Sequence, residues 1–271
     1  MYGFYDFQTA SDNVTTSIHQ LIYDGVNLDE TFTTDISTFI TLSVSGRGIA
    51  QRKHLINEQD GVDGAMFEAV NYLPRTITVK AKVAAASNDE FRMLMQKLNV
   101  VFSNRQEVDI QFTDEPYTYT GHFLTSTQPE ETSNEQIIEI TVFCGDPFKY
   151  STVQRIDNYT NGGLLNVDSD FPVRPNIEMT YTEPLSALTV SNTTTGDVLQ
   201  IENDGSTATY IIELDRSISF NRNISGLIHK HKLEHLLLSS DLRDFNMKEG
   251  DRIVIQPAPT TINIQYKGVK L

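Results

Sequence analysis

The sequence predicts a mainly β protein, β-rich with one clear helix and organised as two units. Three observations carry that expectation. Apolar and polar residues alternate in segment after segment, the period of an antiparallel strand with one wet face. A single stretch, from Ser87 to Phe102, switches to helical spacing. Finally, the alternating run IIEITVFCGDPFKY (137–150) stops at Asp146-Pro147, near the middle of the 271-residue chain. Proline has no amide to donate and pushes the residue before it out of the helical region, so the strand ladder ends there.

The elements follow in chain order. Ile40, Leu42 and Val44 alternate with Thr41, Ser43 and Ser45, which predicts a strand with the first three on its inner face. Between Ser45 and Met66 the pattern fails: SGRGIAQRKHLINEQDGVDGAM is rich in cations and turn residues. A segment of that length is a long loop or an exposed hairpin arm, and contact with a neighbouring subunit is the role it best fits. Ile77, Val79, Ala81 and Val83 then alternate with Thr76, Thr78, Lys80 and Lys82.

The helix opens with Ser87-x-x-Glu90, a capping box in which each side chain is expected to satisfy a free backbone donor. Its stripe of Phe91, Leu94, Met95, Leu98, Val101 and Phe102 must be covered, which lays the helix across a sheet. Val108, Ile110 and Phe112 resume the strand period, followed by Tyr117, Tyr119 and Phe123. The inward row of the central strand is Ile138, Ile140, Val142 and Cys144, which makes Cys144 a small buried hydrophobe and no nucleophile.

After Tyr150 a connector with Asn161-Gly162-Gly163, Pro172 and Pro175 is predicted. Short strands return at Ile177–Tyr181, Val198–Ile201, Tyr210–Leu214, Ile218–Phe220, Ile253–Ile255 and Ile262–Tyr266. That spacing predicts a β-sandwich. The expected division is therefore 1–150 and 151–271.

Composition narrows function. Apolar residues make up 39% and charged residues 21%, and no apolar run is long enough to span a bilayer. The first residues lack a basic region and an apolar core, so no secretory leader is expected. A lone cysteine excludes an internal disulfide and fits a reducing cytosol. The net charge of −15 opposes nucleic-acid binding, which usually needs a basic patch.

Motifs of chemistry are weak. His229, His231 and His235 fall close together, but two lysines are interleaved and no strong ligand spacing follows, so a surface cluster is the expectation and no metal site. Asp241, Asp244, Glu249 and Asp251 lack the regular oxygen ligands of a cation loop. Gly46-Arg47-Gly48 is too short to cradle a phosphate. Nothing resembles an active site, so neither an enzyme nor a cofactor is expected. Two alternatives stay open at this level. A carbohydrate-binding module for cell-wall glycans fits a sandwich, although the chain has no tryptophan for stacking on sugars. A cell-wall hydrolase needs only two well-placed carboxylates.

Five segments resemble, in order, the distal tail proteins of long-tailed, non-contractile bacteriophages or prophages of Gram-positive hosts. They are TLSVSGRG (41–48), PRTITVKAKV (74–83), SNDEFRMLMQKLN (87–99), IQFTDEPYTYTGHF (110–123) and ITVFCGDPFKY (140–150). VSNTTTGDVLQIEN (190–203) and IELDRSISFN (212–221) are similar in character to that family's second domain. The resemblance implies an N-terminal sheet-and-helix domain that forms a homo-hexameric ring, and a galectin-like C-terminal sandwich that projects outward. It implies an extended hairpin near 46–64 that clasps the neighbouring subunit, with Arg47, Arg52 and Lys53 as interface residues. It further implies a structural hub at the virion tail tip, assembled in the host cytoplasm. The implied partners are the tail tube protein, a tail-associated lysin or tail fibre protein, and receptor-binding proteins. DNA would pass through without being held.

Overall fold

The expected inward rows are built as strands with fully covered faces. In the computed structural model Ile77, Val79, Ala81 and Val83 are all completely buried, and so are Val142 and Cys144. The structure describes all residues except 1–6, 10–14, 58–59, 61–62, 128–129, 131–132, 184, 203–208, 215–218, 225–226, 230–236 and 238–244. By its internal contacts the chain forms two units, Met1–Lys149 with Leu271, and Tyr150–Lys270.

The first unit opens with β1 (Phe7–Thr9), β2 (Thr15–Ser17), β3 (Leu21–Tyr23), β4 (Val26–Asn27) and α1 (Leu28–Phe32). It continues through β5 (Ser37–Ser45), β6 (Arg52–Asn57), β7 (Met66–Tyr72), β8 (Arg75–Ala85) and α2 (Asn88–Val101). β9 (Val108–Phe112), β10 (Tyr117–Thr127) and β11 (Glu135–Cys144) complete it. β8 lies antiparallel between β5 and β11, and β11 pairs with the second half of β10. The first half of β10 pairs instead with β9, which pairs with β3. A register shift between Phe123 and Thr125 lies within the half of β10 that pairs with β11, and such bulges bend and twist a strand. The sheet curls without closing into a barrel.

Helix α2 covers that curl. Phe91, Leu94 and Leu98 are buried, and Met95, Val101 and Phe102 pack at the edge of the same core. Phe102 stacks on Phe123 at 5.0 Å and meets Tyr23 edge-on at 4.9 Å. The capping box is only half made. Ser87 Oγ accepts from the Glu90 amide, but the Glu90 carboxylate takes the Ser87 hydroxyl instead of the backbone donor of Ser87.

Strand β5 departs from expectation. Phe39 and Thr41 are fully buried while Ile40 lies on the other face. A register shift between Thr41 and Ser43 restores the phase, so Val44 packs on the core after all. The cause is Asp29 in the first turn of α1. Its buried carboxylate accepts from the Thr41 amide and hydroxyl, both at 2.7 Å, and from the Leu21 amide at 3.2 Å. Thr41 must face inward to serve it, and an extra residue absorbs the mismatch.

The second unit holds β12 (Lys149–Ile156), β13 (Asn176–Thr180), β14 (Ala187–Asn192), β15 (Val198–Glu202) and β16 (Thr209–Glu213). β17 (Ser219–Ile224), β18 (Leu227–His229), β19 (Ile253–Gln256) and β20 (Thr261–Lys270) follow. One sheet runs β18-β17-β16-β13-β20 and a second runs β15-β14-β19. Ile177, Ile212 and Ile264 from the first sheet share one core with Val190, Leu199 and Ile255 from the second. The predicted Ile218 lies outside the described residues.

Candidate assembly interface

The irregular stretch after Ser45 is a two-stranded arm. Among the described residues β6 and β7 pair only with each other, from Arg52 opposite Tyr72 to Asn57 opposite Met66. The backbone of Leu73 closes onto Gln51 at 2.9 Å. The second strand thus runs to Tyr72, further than the 46–64 span expected from sequence. An isolated hairpin is marginal in water, and this one has little apolar cover. Ile56, Met66 and Phe67 are exposed by 52%, 65% and 63%.

Its root is held by buried charge. Arg75 shares the inward row of β8 and is only 6% exposed. Its guanidinium donates to the carbonyls of Gly46, Gly48 and Pro147 at 3.2, 2.9 and 3.2 Å. Gly46, at φ +90, turns the chain out of β5 toward the arm. Arg47 makes a two-pronged pair with Asp114 at 2.7 and 2.8 Å and lies 4.6 Å over the Phe112 ring.

Glu115 ties the rest together. It takes Arg47 at 3.2 Å, the Tyr119 hydroxyl at 3.0 Å and Lys149 at 3.1 Å. Burial alone would raise the Asp114 carboxyl, but the Arg47 hydrogen bonds and charge outweigh it and hold it below the ordinary value. Burial and the neighbouring Glu115 push the Tyr119 hydroxyl upward, so it stays a donor. The cluster is chemically suited to fixing a direction.

Each predicted interface residue has a distinct place. Arg47 serves this root within its own chain. The Arg52 guanidinium lies 5.1 Å over Tyr72 across the arm. Lys53 is exposed opposite Asn71. Sequence reasoning missed Arg75, although a cation in phase with Ile77 and Val79 was a readable signal. It also passed over Asp114-Glu115, which lie far from Arg47 in sequence.

Other candidates resolve otherwise. His229 lies at the end of β18; His231, His235, Asp241 and Asp244 lie outside the described residues. Glu249 accepts from the Val167 amide, and Asp251 accepts from Asn192 and the Lys248 amide. Both carboxylates therefore brace loops. Burial raises the Cys144 thiol to about 11, which keeps it protonated.

Residues 29–144 match the family described as "Phage tail protein RIFT-related domain". The Distal tail protein of Bacillus phage SPP1 is 24% identical over 251 residues, 92% of each chain. In sequence the chain is thus similar, over nearly its whole length, to a phage distal tail protein. The fold agrees across almost the whole length. The crystal structure of SPP1 Dit, described as a paradigm of hub adsorption apparatus in phages infecting Gram-positive hosts, superposes with a TM-score of 0.73 at 19% identity, covering 94% of this chain and 100% of that one. A chain of the phage P2 baseplate in its activated conformation with calcium gives 0.54 at 11% identity, over 96% of this chain and 94% of that one.

Proposed function

We propose that the chain is a structural hub component of the phage tail tip, where six copies form a ring that joins the tail tube to the baseplate. The end-to-end likeness to the SPP1 distal tail protein, in sequence and in fold, carries this reading. The first unit is the ring former and its arm, through Arg52 and Lys53, reaches the adjacent copy. The second unit is a galectin-like sandwich that anchors receptor-binding proteins, with a tail-associated lysin or tail fibre protein below the ring. DNA passes through without being held, because an acidic protein repels phosphate. Assembly takes place in the host cytoplasm and the product resides at the virion tail tip.

Light scattering on the purified chain, followed by negative-stain imaging of the same peak, tests the reading. Six-fold rings with a central hole are expected. A protein that remains monomeric at every concentration, even with tail tube protein added, would overturn it.

A further inference from the structure

Charge is segregated along the arm. Its root end carries Arg52 and Lys53, both exposed and without a carboxylate partner among the described residues. Its tip end carries Asp60 and Asp63, also exposed. Six residues of extended strand separate the two ends, about 20 Å. Neither group of charges reaches the other within one hairpin.

Apolar surface accompanies both ends. Met66 and Phe67 stand exposed near the tip, and Ile49 is 100% exposed at the root. Beside Ile49, a cavity of about 330 Å³ opens between residues 46–51 and 73–76, lined by Leu73, Pro74 and Arg75 among others. A projecting arm with this much uncovered apolar surface needs a partner to cover it. An arm acidic at one end and basic at the other is complementary to a second copy of itself, laid head to tail.

We infer that the acidic tip of each arm docks on the basic root of the next copy's arm, with Asp60 and Asp63 meeting Arg52 and Lys53 while Met66 and Phe67 cover the root cavity. The inference rests on the ring reading and deepens it by naming the contact. A tip-to-root contact is heterologous, so each copy gives one end and receives the other, and a closed rotation makes a ring. An exposed ion pair is weak on its own. Two pairs per contact repeated around a ring, and turned repulsive by reversal, are not.

The test uses two full-length variants. One reverses the tip (Asp60→Lys with Asp63→Lys) and the other reverses the root (Arg52→Glu with Lys53→Glu). Circular dichroism and thermal midpoints confirm that each is folded. Each alone should need at least roughly tenfold more protein than wild type to reach half assembly, the scale of opposed charges at an interface. Mixed in equal amounts they should regain rings, because every tip then meets a root of opposite sign. Native mass spectrometry should find the two variants alternating, three of each in a hexamer.

Variants that assemble as well as wild type would overturn the tip-to-root contact and leave the ring standing. Loss in both without rescue on mixing would also overturn it, since complementarity would not be the cause. A wild-type chain that never assembles would instead fail the ring reading itself.

Discussion

At Gly46 the arm leaves β5, and the backbone there has room for no side chain. A Cβ would sit 2.0 Å from the Thr76 carbonyl oxygen, on backbone already at φ +90. That carbonyl belongs to the central strand β8, so it cannot move aside cheaply. Two residues on, Gly48 has open space around the same position and no positive φ. Gly46→Ala should therefore cost ~3 kcal/mol, the sum of left-handed strain and a displaced strand. Gly48→Ala should stay near neutral. Urea unfolding midpoints of the two variants decide the matter; equal midpoints would mean the arm's exit is not sterically fixed. Arg75 acts on the same turn from below, holding the carbonyls on either side of Arg47.

The arm as an element shows what a one-dimensional reading can and cannot carry. Strands whose inner faces are mostly apolar, such as β8 and β11, are legible because burial and period agree along most of their length. Strand β5 was legible as a strand but not in phase, because the inward residue at its bulge is a threonine recruited by a distant aspartate. The arm's existence was visible as a failure of pattern after Ser45. Its far limit was not, since MFEAVNY alternates only weakly and faces solvent on both sides. The root cluster was the least legible part, because Arg47, Asp114 and Lys149 meet only through the fold.

The arm's observed limits, Gln51 and Leu73, decide how it can be removed. Removing 46–64 would strip β7 of its partner and tear out the root. Because Gln51 and Leu73 already meet, joining them through an Asn-Gly turn removes residues 52–72 cleanly. That variant should keep the wild-type circular dichroism and thermal midpoint within a few degrees, yet run as a monomer in light scattering. Rings from the shortened chain would remove the arm from the assembly altogether.

At the scale of the whole molecule, the two units differ in what holds them. The first packs a curled sheet against two helices and uses buried Arg75 with a partly covered cluster of charges to direct an arm. The second has two sheets whose apolar faces fill one core, and its polar node of Asn192, Asp251 and the Lys248 amide closes inside the same unit. Among the described residues, every fully buried member of that core lies between Tyr159 and Tyr266, and the partly buried Ile156, Leu185 and Val269 that pack on it belong to the same unit. Residues 149–271 should accordingly fold alone, within the size range where a single core suffices. The expected result is a cooperative thermal transition and well-dispersed amide resonances. A broad, non-cooperative melt with bound hydrophobic dye would show that the sandwich needs the first unit, and would recast the chain as one folding unit despite its two cores. A sandwich that stands alone also gives the direct route to its partners, because it can be used as bait without the complication of ring formation.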